Sequence, residues 1–193
     1  MKRSMPLHRR APRNQHGAAL AISLIFLLVL TLLGITAMSG STVQERLAGN
    51  QRDLELAFEA AEAALRDGET AIINFNAPPT TVGAGCTGAG NCPVWQLNAR
   101  NFANESQSWW QNNAQEYGTA GTLDLNPSTG TSLVSQDPYY IIEQRAFVRD
   151  TNQVPTSYGG PSGRHFYQVT ARAVGASDDA VSVLSSTVLR RFQ

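Results

Sequence analysis

Two cysteines, three histidines and one pair of adjacent aspartates are the residues of this 193-residue chain whose types invite a chemical reading. Cys86 and Cys92 have five residues between them. A disulfide there would close a small loop, worth about 2–2.5 kcal/mol by loop entropy before any strain. The same two thiols offered to a metal make a poor ligand set, because no histidine lies nearby. His8 and His16 sit in the N-terminal segment. His165 is alone in a strand-like run, where a histidine is a structural residue rather than a general base. Asp178-Asp179 falls in a turn, and two acids without further oxygen ligands read as solvated rather than as a Ca²⁺ site. No Gly-x-Ser-x-Gly elbow, phosphate loop or metal-binding helix motif is present. The sequence therefore predicts no catalytic residue, no cofactor and no metal, and no enzyme activity.

The elements that carry these residues begin with charge. Residues 1–17 hold Lys2, Arg3, Arg9, Arg10 and Arg13 and no acid, a charge of +5; residues 18–193 hold ten arginines, no lysine and fifteen acids, a net of −5. An acidic body argues against phosphate-backbone binding, so nucleic acid is not an expected partner. Residues 18–38 read AALAISLIFLLVLTLLGITAM, 21 residues without a charge. A helix of that length spans about 31 Å, the thickness of a bilayer's hydrocarbon core. Its polar members Ser23, Thr31 and Thr36 can return their hydroxyls to the preceding turn. The basic residues precede it, so the positive-inside rule keeps the N-terminus cytoplasmic and exports the rest. In an oxidising exterior Cys86 and Cys92 are expected to pair, free thiols being the alternative.

The helical pattern does not stop at the membrane boundary. Val43, Leu47, Leu54, Phe58, Ala61, Leu65 and Ile72 recur on one stripe, with Ala48, Ala57 and Ala64 beside them. Charged residues, Asp53 and Asp67 among them, occupy the other faces, and Glu62 and Arg66 form an acid-before-base pair at i,i+4. The spacing predicts a helix from the apolar run to about Ile73, with a bend or loosened turn near Gly40 or Gly49.

The junction His16-Gly17-Ala18-Ala19-Leu20, a basic leader opening onto an apolar helix, resembles the processing signal of type IV pilins and pseudopilins. Residues 17–69, and above all Gln44-Glu45-Arg46 through Ala57-Phe58-Glu59-Ala60-Ala61-Glu62-Ala63-Ala64, resemble the N-terminal region of PilX-type minor pilins. The resemblance implies an α+β, type IV pilin-like fold: a long N-terminal helix, half membrane-embedded and half amphipathic, packed on a C-terminal antiparallel sheet. It implies cleavage between Gly17 and Ala18 by a prepilin peptidase, N-methylation of Ala18, and residence in the inner membrane before entry into a pilus. The implied partners are the major pilin, other minor pilins and the inner-membrane assembly platform. Major pilins carry a glutamate five residues after the cut; here that position is Ile22. A subunit without this carboxylate cannot offer its charge to one above it, as in GspK-like tip pseudopilins of type II secretion systems. The expected function is therefore a minor pilin that primes pilus assembly at or near the tip. A GspK-like pseudopilin and a membrane-anchored adhesive module are the alternatives.

The organisation expected is a cleaved leader (1–17), a membrane helix (18–38), its amphipathic continuation (39–75) and an exported globular domain (76–193). Residues 74–101, rich in Pro, Gly, Thr and Asn, read as loop. Residues 105–117 read as a short helix with Trp109 and Trp110 as core anchors. Residues 139–149, 164–174 and 181–192 read as three strands in meander order, with the register of the last left open. Turns are expected at 150–163 and 175–179. An adhesive module would use the loops at 76–100 and 151–163.

Overall fold

The computed structural model describes residues 17–88, 90–118, 125, 132–150 and 163–192. The leader up to His16, most of the turn after Asp150 and hence most of the second candidate adhesive loop lie outside the described residues. The chain divides into two units between Leu47 and Ala48. Helix α1 (Ala18–Ile73) contributes to both and is helical through Gly40 and Gly49 without a break.

In the first unit the amide of Ala21 donates to the carbonyl of Gly17 at 3.1 Å and opens the helix. Ser23 donates to the Leu20 carbonyl, Thr31 to Leu28 and Thr36 to Leu33, so the three hydroxyls are satisfied within the helix. Leucines, isoleucines and phenylalanine on every side of this segment are exposed. Among the described residues α1 is the one helix long and apolar enough to cross a membrane.

In the second unit α1 ends where Asn74 and Phe75 close the last turn and Pro78-Pro79 forbid another. Beyond it come a short α2 (Gln107–Asn113), the two-residue β1 (Gln115–Glu116), and the long strands β2 (Tyr139–Arg149), β3 (Gly163–Val174) and β4 (Val181–Phe192). Ser106 caps α2 by accepting from the Trp109 amide at 3.3 Å. The helix is shorter than the expected 105–117 because the chain turns at Ala114 to pair β1 with β2. The sheet runs β1-β2-β3-β4, antiparallel throughout, with a bulge between Gln144 and Ala146. This is the α+β, pilin-like arrangement predicted from the sequence, with one small strand added.

Residues 74–101 are more ordered than a loop. Trp95 lies alongside β2, donating to the Ile142 carbonyl at 2.7 Å and accepting from the Gln144 amide at 2.8 Å. Val82 pairs in turn with this segment. Both faces of the first half of β2, Tyr139 to Glu143, are buried. Tyr140 and Ile142 join Tyr167, Val169 and Ala171 against α1, whereas Tyr139 and Ile141 face a second cluster of Trp95, Phe102, Trp110 and Cys92. The sheet is a middle layer between the helix and an aromatic cover. Leu184, Val188 and Phe192 of β4 pack on the helix side, which settles the register.

Candidate functional site

Gly17 and Ala18 sit where the helix begins. Gly17 has φ of +110°, a conformation that suits glycine and costs any other residue, and Ala18 is the first helical residue. Ile22 lies on the exposed apolar surface of the first unit, 54% accessible. From Ala18 to Gln44 the helix has no charge, and Glu45 is its first acid. Within it, residues 18–38 offer an exposed apolar cylinder, suited to lipid or to other apolar helices.

In the second unit the helix face that meets the sheet is not the stripe of large residues. Ala57, Ala60, Ala61, Ala64 and Gly68 are buried, and Ile72 closes the row. Leu54 and Phe58 are about half exposed, at 54% and 49%. The buried face is thus centred roughly a quarter turn of helix from the predicted stripe, while keeping its Ala61 and Ile72 and, partly buried, Leu65. The reason is distance: a strand of aromatic residues stands opposite, and only alanine and glycine let the helix backbone approach it. A side chain at position 68 would meet Val169 and the ring of Tyr140.

That rotation also brings in two acids that the pattern placed on solvent faces. The Ser177 amide donates to Oδ1 of Asp53 at 3.2 Å and its hydroxyl donates to Oδ2. These donors hold the Asp53 carboxyl below its ordinary pKa. Gly175 is needed beside it, since any side chain there would run into Asp53. The turn at 175–179 is therefore tied to the helix, and Asp178 ties it further, accepting from Ser135 and Gln136 at 2.8 and 2.7 Å. Asp67 is only 7% exposed, with Oδ2 unpartnered; burial pushes its pKa up, against the backbone amide of Gly118. Burial, and then the charge of Asp67, pushes the neighbouring Tyr140 up to about 12. The signal that could have found both acids was their spacing with Ala57, Ala60, Ala64 and Ala71, a small-residue face at helical period.

Cys86 and Cys92 form a disulfide. It borders the aromatic cover, where Trp110 is fully buried and Trp95, Phe102 and Trp109 lie ring to ring at 5.4–5.8 Å. Trp109 and Trp110 are the core anchors expected of them. His165 packs 4.6 Å from the ring of Phe147 and against Tyr167 and Phe192, and burial lowers its pKa. Among the described residues no group of three His, Cys, Asp or Glu could hold a metal ion.

Two family models match the chain. One, described as PilX N-terminal, covers residues 16–66, and the other, described as type IV pilus assembly protein PilX C-term, covers residues 82–190. Searches of the curated proteins and of the solved structures return no significant match.

Proposed function

Since the chain belongs to the PilX family of type IV pilus assembly proteins, we propose that it acts as a minor pilin that primes assembly and occupies the pilus tip or a position near it. The observation that carries this reading is the uncharged helix segment from Ala18, its apolar side chains exposed, with Ile22 where a glutamate would stand. An apolar helix satisfies its backbone internally and can exchange lipid for neighbouring helices at little cost. A carboxylate in that environment would require a positive partner from another subunit. Ile22 makes no such demand and offers no such bond, which suits a subunit with nothing stacked above it. Anchoring in the inner membrane, with the basic leader inside and the sheet domain outside, precedes entry into the fibre on this reading. A prepilin peptidase cuts between Gly17 and Ala18 and methylates Ala18, and the assembly platform and the other pilins are the partners. The role is structural, with no reaction assigned to any side chain.

Mass spectrometry of the mature N-terminus tests the processing step: a methylated Ala18 is expected, and a chain still starting at Met1 would sink it. Deletion is expected to abolish surface pili and twitching while secretion of folded enzymes continues. Loss of secretion instead would favour a pseudopilin, and loss of surface attachment with pili intact would favour an adhesive module. For the tip, Ile22→Glu is the informative change. Unaltered piliation with the subunit found along the whole shaft would overturn that position.

A further inference from the structure

On the sheet face away from α1, the apolar cover over Tyr139 and Ile141 stops abruptly. The next residues on that face are polar, and together with Phe102 and Ala103 they line a groove of about 440 Å³, within the range of ligand clefts. Its floor comes from three adjacent strands: Glu143 of β2, Gln168 and Thr170 of β3, and Ser185 of β4. Glu143 and Thr170 are 4% and 5% exposed. Arg100 and Arg145 stand at its rim.

These groups are held in place by one another. Thr170 and Ser185 share a hydrogen bond of 3.1 Å, and the Gln168 amide reaches Thr170 at 3.4 Å. The Asn98 amide donates to Glu143 Oε1 at 2.5 Å, from a backbone with φ of +55°. Asparagine tolerates this left-handed conformation at little cost, and the bond to Glu143 holds it there. Arg145 pairs with Glu143 at 3.4 Å and Arg100 with Glu105 at 2.9 Å. Arg100 is further steadied over the ring of Trp109. Polar side chains already ordered lose little entropy on binding.

The charge of the groove narrows its ligand. Each guanidinium has its own carboxylate, so little positive charge is left over. A phosphate would meet Glu143, a metal ion would meet two arginines, and an apolar ligand would strip water from hydroxyls and amides. Donors and acceptors side by side match a ligand whose own groups both donate and accept. A guanidinium has five N–H donors, and the internal pairs use only some of them. We propose that this groove binds a neutral, hydroxyl-rich ligand, a saccharide of one or two rings. It draws on the pilus reading only in that the domain is displayed outside the cell.

The test uses the full chain in a zwitterionic detergent without a sugar headgroup. Saturation-transfer NMR is read with glucose, galactose, N-acetylglucosamine, lactose and maltose, and ³¹P line broadening and calorimetry with inorganic phosphate and CaCl₂. Saturable binding of at least one of these sugars is expected, with no response to phosphate or Ca²⁺. Arg145→Ala and Thr170→Val are each expected to weaken it about tenfold, and Arg66→Ala, on the exposed helix face, to leave it unchanged. Silence from all five sugars overturns the proposal, as does preferential binding of phosphate, or sugar affinity in both groove variants equal to that of the native chain. Since the readout is binding by isolated protein, it fails or stands separately from piliation and from processing at Ala18.

Discussion

Asp53 and Asp67 occupy one helix face, yet their surroundings push them in opposite directions. Asp53 has its pKa lowered from 3.8, first by the Ser177 hydroxyl. Its contribution to stability is present above pH 3.8 and disappears as pH falls through the lower folded value. Replacing the donor, Ser177→Ala, is expected to move the Asp53 pKa upward toward 3.8 in an NMR titration; no movement would mean the clasp does not exist in solution. Asp67 has its pKa raised by burial. Its folded form favours the proton, so its own contribution to stability is greatest below pH 3.8 and declines as pH rises through the folded pKa. Asp67→Asn should consequently melt higher than the native chain at pH 7, with the difference closing toward pH 4. An equal or lower melting temperature at pH 7 would contradict the burial argument. Neither role was legible from residue type. A periodic pattern records which positions share a face, but not which face meets the sheet.

At the scale of elements, α1 carries two apolar faces with different work. The small-residue face is the packed one, and Gly68→Val is expected to destabilise the domain by about 2–3 kcal/mol, because Tyr140 and Val169 are buried and cannot yield. Phe58→Ser, on the half-exposed face, should change stability by no more than about 0.5 kcal/mol, with any defect appearing in assembly. Chemical denaturation of the two variants separates the faces, and a large loss at Phe58 would show the assignment to be reversed. The disulfide closes a short loop beside the aromatic cover, so Cys86→Ser combined with Cys92→Ala should remove about 2–2.5 kcal/mol. Strand positions were readable in advance, since runs such as YYIIEQRAFVR carry the aromatic and β-branched content of strands. The ordering of residues 82–96 was not readable, because its stabilising bonds run to β2, some fifty residues further along the chain.

At the scale of the whole molecule, the three apolar clusters found among the described residues lie in the unit Ala48–Gln193. A chain beginning at Ala48 should therefore fold alone, with a cooperative melt and the near-ultraviolet signal of buried tryptophans; a non-cooperative melt would show that the first unit is needed. The sequence by itself determined the long helix, the apolar segment, the three long strands and the pilin-like class. The helix, the apolar segment and the strands follow from local composition and period, which backbone sterics and burial translate directly into helix or strand; the pilin-like class follows from the family resemblance of residues 17–69. Tertiary structure alone decided which face of α1 is buried, the parity of β4, the clasp at Asp53 and the groove around Glu143. Those depend on contacts between residues far apart in the chain, where close packing selects among faces that local pattern leaves equivalent.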